Sequence, residues 1–220
     1  MIKHHVDPET LMSYAAGTSS MPVSLIVASH ITICDKCRKD VQLFEDIGGK
    51  VLEESLSFKT KPETLDIMLS KLDDIDIETE TSSDIKVNSI FKNIPIVLHK
   101  MLPKGNSLTE KWKNGIGGIK YYDIELGESN KNSHARMFSI PPGKALPKHG
   151  HEAQEYTLVL EGGFSDKNGD YNAGDIAIED ELDIHSPVAD STEGCVCLAV
   201  YEGNLKFKGI LGPILNLLKI

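Results

Sequence analysis

Apolar and polar residues recur with two different periods along the chain. Over the first ~75 residues the spacing is helical. Asp7-Pro8-Glu9 reads as a helix start, with an N-cap acid, proline at the first helical position and an acid in the first turn. Leu11, Met12, Tyr14 and Ala15 carry that helix to Gly17. Ser20-Met21-Pro22 opens a second helix, predicted to run past Arg38 to Phe44 and to stop at Gly48-Gly49. Further on, Leu65, Met68, Leu69, Leu72 and Ile75 fall on one apolar stripe of a short helix.

From Asp76 to Asn88 the chain turns polar and acidic, with almost nothing to bury. Beyond it the period is that of strands: Ile94–Leu98, Ile119–Leu126, His134–Ile140, Glu155–Glu161, Asp175–Ile178, Cys195–Tyr201 and Leu205–Lys208. Turn sequences such as Pro-Pro-Gly, Glu-Gly-Gly and Asn-Ala-Gly-Asp separate them, as in an antiparallel barrel or sandwich. The pattern predicts an α+β chain of two domains: a small helical bundle over residues 1–75, a linker over 76–90 and a β-domain over 91–220.

Charge narrows the function. The 23 Lys+Arg against 33 Asp+Glu leave a net charge of −10, which disfavours direct nucleic-acid binding and suits a basic protein partner. No run approaches the roughly 20 apolar residues of a membrane span, and Met1–Asp7 lacks the apolar core of a signal peptide, so a cytoplasmic protein is expected. The apolar stretch from Phe207 to Ile220 is short and interrupted, as in a docking tail.

Two groups of residues carry chemistry. On a continuous helix, Cys34 would sit about 40° from His30 and Cys37 about 20° from it, so the three project from one face. A tetrahedral zinc ion would need a fourth ligand, for which His4 and His5 are the available donors. Buried apolar cysteines and a CxxC redox pair are the competing readings. A bundle this small has a thin core, and zinc would supply folding energy. His30-x3-Cys34-x2-Cys37 with the upstream histidine resembles the motif of the zinc-binding anti-sigma domain. His4-His5-Val6 and Tyr14-Ala15-Ala16-Gly17 resemble its ChrR-type branch. The resemblance implies that His5, with His30, Cys34 and Cys37, holds zinc.

The second group is His149, His151 and Glu155, joined by His185 from far along the chain. Residues two apart on a strand share a face, so His149 and His151 point the same way. Three imidazoles and a carboxylate suit zinc, iron, manganese or nickel, and ligand type alone does not choose. Gly143-x5-His149-x-His151-x3-Glu155-x6-Gly162 resembles the first motif of the cupin family. The second motif departs: Asn172 stands where proline is usual, and His185 follows Gly174 by eleven residues, a spacing the ChrR-type proteins share. Cys195 and Cys197 also share a strand face. They are either core filler or, as the resemblance implies, an oxidisable pair involved in signal response.

Together the resemblances imply a zinc-binding helical bundle followed by a cupin-type barrel. The implied function is an anti-sigma factor that sequesters an extracytoplasmic-function sigma factor and releases it on singlet oxygen or organic peroxide. The alternative is a cupin metalloenzyme, a dioxygenase or hydrolase.

Overall fold

The computed structural model describes residues 1–55, 61, 63–73, 94–99, 101–102, 111–127, 132–203 and 206–207. Helix α1 spans Pro8–Ala15, and the Asp7 carboxylate accepts from the Thr10 N–H at 2.8 Å, as the start signal predicts. Helix α2 spans Met21–Ile31 and α3 spans Asp35–Glu54. These replace the single helix expected from Met21 to Phe44. The break is local: the Thr32 hydroxyl donates to the Ser29 carbonyl at 2.7 Å, and Cys34 leaves helical geometry to become the N-cap of α3. Arg38 then donates to the carbonyl of Ile31, covering the C-terminus of α2. The far end also differs. α3 runs through Gly48-Gly49, whose cost of about 1 kcal/mol each against alanine does not stop a helix with good formers on both sides. Helix α4, Glu63–Asp73, agrees with the predicted stripe from Leu65 to Leu72, its last member Ile75 lying outside the described residues.

Ile94–Leu98, expected as a strand, contributes instead to the short helix α5, Ile96–His99. Pro95 supplies a preset φ at its start, its carbonyl accepts from the Leu98 N–H at 2.9 Å, and Leu98 and Leu102, one turn apart, are both buried. The expected linker at 76–90 and the tail beyond Phe207 lie outside the described residues.

The β-half contains β1 (Lys113–Asn114), β2 (Lys120–Ile124), β3 (Ser133–Ile140), β4 (His149–Gly150), β5 (Glu155–Asp166) and β6 (Gly169–Asn172). It continues with β7 (Ile176–Glu179), β8 (Ile184–His185), β9 (Val188–Ala189), β10 (Cys195–Glu202) and β11 (Lys206–Phe207). The larger sheet runs β1-β2-β3-β10-β5-β6, with β7 and β9 also paired to β5. A smaller sheet runs β11-β4-β8, and all pairs are antiparallel.

Alternation along the strands divides the sheet into two faces. Ala135, Met137, Leu158, Leu160, Leu198 and Val200 pack outward against Leu25 and Ile26 of α2 and Leu98 of α5. Phe138, Ile140, Val159, Cys195, Cys197 and Ala199 line the interior. The helices and the barrel thus share one core. Fully burying Leu25 and Ile26 contributes about 1.5–3 kcal/mol each, so α2 is a cover for the sheet as well as a bundle helix.

The N-terminal arm strengthens this junction. Backbone N–H groups of Lys3 and His4 donate to Asp175 Oδ1 at 2.6 and 2.9 Å, and the Ile176 N–H donates to the His4 carbonyl at 3.3 Å. The His4 ring packs on Tyr171 with centroids 4.5 Å apart. Gly174 has φ +93°, and a Cβ there would lie 2.8 Å from Ile2, so the turn from β6 to β7 needs glycine on both counts.

Candidate metal centres

The break between α2 and α3 builds the first centre. His30 lies in the last turn of α2, Cys34 caps α3, Cys37 occupies its first turn, and the arm brings in His5. The convergence expected from a continuous helix is therefore achieved by a helix–turn–helix corner. One donor atom from each of His5, His30, Cys34 and Cys37 lies within 4.8 Å of all the others. His5 Nδ1 is 3.3 Å from Cys34 Sγ and 3.6 Å from Cys37 Sγ. Zinc–nitrogen and zinc–sulfur bonds of ordinary length imply tetrahedron edges of about 3.3–3.8 Å. His4, the other candidate, is turned away onto Tyr171.

His30 is fully buried, and among the described residues neither ring nitrogen has a hydrogen-bond partner. Burial, and then His5 beside it, pushes its pKa down to about 4. Burial pushes the Cys37 thiol up to about 11. A buried imidazole with both nitrogens orphaned beside two buried thiols is costly unless a cation binds them, so the residues present fit zinc.

The second centre sits at the barrel mouth. β4 pairs with β8 so that His149 lies opposite His185, which reaches the site despite its unusual spacing. The additional residues form the turn at 180–183, closed by the Leu182 N–H donating to Asp180 at 2.8 Å. His185 Nε2 lies 3.2 Å from both His149 Nε2 and His151 Nε2. Glu155 Oε2 lies 3.2 Å from His151 Nε2 and 3.8 Å from His185 Nε2. Partners on the far ring nitrogens set the tautomers: His149 Nδ1 donates to the Pro147 carbonyl at 2.7 Å and His185 Nδ1 to Asp166 at 3.0 Å. The bare Nε2 lone pairs of both rings then face the same point. Glu155, pushed up to about 8 by burial and then by Glu179, and His149 and His151, pushed down to about 4 and about 3 by burial, are each held neutral around it. Such a cage fits a divalent transition metal.

Cys195 and Cys197 are both buried and unbridged. Cys197 lines a cavity of about 40 Å³ together with His149, Glu155 and His185, so the pair lies beside the second centre. Sequence reasoning missed Asp166 and Glu179, which stand behind His185, and Asp175, which anchors the arm. Asp175 had a signal in its Gly-Asp turn. Asp166 and Glu179 had none, because strand pairing alone brings them to His185. Two further histidines have other partners: His134 stacks on Tyr201 at 4.9 Å and His99 Nε2 lies 3.1 Å from the Ile94 carbonyl.

Residues 106–205 match the family described as the ChrR Cupin-like domain. The anti-sigma-E factor ChrR of Cereibacter sphaeroides is 33% identical over 216 residues, spanning 98% of this chain and 97% of that protein. The crystal structure of Rhodobacter sphaeroides SigE in complex with the anti-sigma ChrR superposes with a TM-score of 0.75 at 33% identity, covering 92% of this chain and all of that one. The likeness runs through the helices and the barrel alike, and the chain belongs to the ChrR family of anti-sigma factors.

Proposed function

We propose that this chain sequesters an extracytoplasmic-function sigma factor in the cytoplasm through its helical part, braced by zinc at His5, His30, Cys34 and Cys37. The metal-binding barrel would release the sigma factor on oxidative stress, by singlet oxygen or organic peroxide. One observation carries the partner: the outer faces of α3 and α4 are apolar and bare. Leu43, Ile47 and Val51 of α3 are 56%, 54% and 66% exposed, and Leu65, Met68, Leu69 and Leu72 of α4 are each more than half exposed. Two stripes at helical spacing fit a partner's helices, and the relative of known structure is bound to SigE. The net charge of −10 suits a basic, DNA-binding partner. When bound, zinc supplies a cross-link between the arm and the α2–α3 corner, and the chain's own residues do the rest. The arm, through Lys3, His4 and Asp175, is the path by which a change in the barrel reaches His5. Membership in a family of anti-sigma factors leaves the metalloenzyme alternative without support.

The test uses the full chain, because α2 shares its core with the barrel. Leu43→Glu/Ile47→Glu should weaken binding to a purified extracytoplasmic-function sigma factor by about a hundredfold, with thermal stability almost unchanged. Wild-type affinity in this variant refutes the assigned surface.

A further inference from the structure

We infer that the barrel holds, beside the His149 cage, a binding site for a small monocarboxylate with a short apolar tail, and that Arg136 receives its carboxylate. Arg136 sits on β3 and is only 7% exposed. Its Nε donates to Asp123 Oδ1 at 2.6 Å, while its Nη1 is buried with no hydrogen-bond partner among the described residues. A guanidinium is always charged, and leaving one of its donors dry and unpaired is costly. Lys113 also pairs with Asp123, at 2.8 Å, so one carboxylate answers two cations and a positive charge is left over.

Around this group the protein has built an apolar chamber. Arg136, His149 and Tyr121 are the charged or titratable members of the lining of a cavity of about 50 Å³, with Ile116, Ile119, Phe138, Leu146 and Phe207 among its walls. The guanidinium lies over the Tyr121 ring at 4.6 Å from its centroid and within 5.9 Å of that of Phe138, which holds it in place. Phe138, Leu146 and His149 also line the cavity that holds Glu155, His185 and Cys197, so the two spaces adjoin. A buried cationic donor with an apolar surround selects a monoanion with a hydrocarbon end. A phosphate or sulfate would need several donors, and the small volume limits the tail to a few carbons. The site stands on barrel residues alone and does not require the sensor reading, although it would give that reading a class of ligand.

Butyrate and its neutral isostere butyramide test it by calorimetric titration of the full-length protein. Each is run on protein stripped by chelator and on protein reloaded with zinc, at one ionic strength. Butyrate should bind saturably, at least about tenfold tighter than butyramide, with or without metal. Arg136→Gln should reduce butyrate to the butyramide level. Equal binding of the two ligands, no saturable butyrate binding, or wild-type binding by the variant overturns the inference. Butyrate binding seen only in loaded protein, while the stripped protein keeps its circular dichroism, also overturns it, since the acid would then sit on the metal; a stripped protein that unfolds leaves the decision to the loaded wild type and Arg136→Gln. Should Arg136→Gln not fold, the carboxylate-to-amide ratio in the wild-type protein decides alone. Loss of sigma-factor binding bears on the proposed function and leaves this site untouched.

Discussion

Asp175→Ala probes the junction between the helices and the barrel at a single buried carboxylate. Asp175 is 1% exposed and accepts three backbone N–H groups, from Lys3 at 2.6 Å, His4 at 2.9 Å and Asn172 at 2.9 Å. A hydrogen bond to a charged group contributes about 1.5–3 kcal/mol net. The three are not additive, and water can reach the half-exposed arm once it lifts, so the expected loss is about 3–5 kcal/mol. That is a large fraction of the stability of an ordinary domain. Urea unfolding followed by circular dichroism measures the loss. Transfer of zinc to a chromophoric chelator should also quicken, because His5 directly follows the anchored residues. The pH dependence has a definite sign. Burial acts to raise the Asp175 pKa, but the N–H groups of His4, Asn172 and Lys3 outweigh it and hold the carboxyl below its ordinary value. A depressed folded pKa means that the contribution is complete above the unfolded value near ~4 and fades as pH falls through the folded one. Asp175→Asn should therefore flatten the acid limb of the stability curve. A variant Asp175→Ala within about 1 kcal/mol of wild type at neutral pH, with unchanged zinc transfer, refutes this account of the junction.

The metal centres make further predictions. Cys37→Ser should remove one equivalent of zinc by elemental analysis and lower the melting temperature, while full zinc content in the variant refutes the ligand assignment. In metal-free protein Glu155 is held neutral with a pKa of about 8, so the fold should lose a few kcal/mol as pH rises from ~4.5 to 8, and metal should abolish that slope. Thermal melts across that range with and without zinc check it, and parallel slopes would contradict it. Cys195→Ser/Cys197→Ser should abolish release of the sigma factor by oxidant if the pair is the oxidisable element. Two features count against direct attack on it: Cys197 is buried with its pKa raised by its hydrogen bond to Cys195 and by burial, and residues two apart on a strand have Cα atoms about 6.6 Å apart, at the long limit for a disulfide. An unchanged oxidant response in the double variant removes the pair from the mechanism.

How much was legible in the chain depended on the range of the interaction. The α1 cap and the period-two strands are local, and the structure bears them out; His149, His151 and Glu155, close in the chain, are brought into one group. The continuous helix through Cys34 failed because Thr32 and the capping thiol compete for backbone groups, which helical periodicity does not register. The expected strand at Ile94–Leu98 failed because Pro95 and the burial of Leu98 favour a helical turn that an apolar run cannot distinguish from a strand.

By itself the sequence determined which donor atoms exist and which of them share a face, since alternation and helical period are properties of neighbouring residues. Only the tertiary structure decided how His5 meets the α2–α3 corner and how His185 reaches the cage through its pairing with β4. It also decided that the helices and the barrel share a core, and that Arg136, with one donor unpaired among the described residues, lines an apolar chamber. These depend on pairings between residues far apart in the chain, whose register and desolvation follow from packing and leave no periodic trace in the order of amino acids.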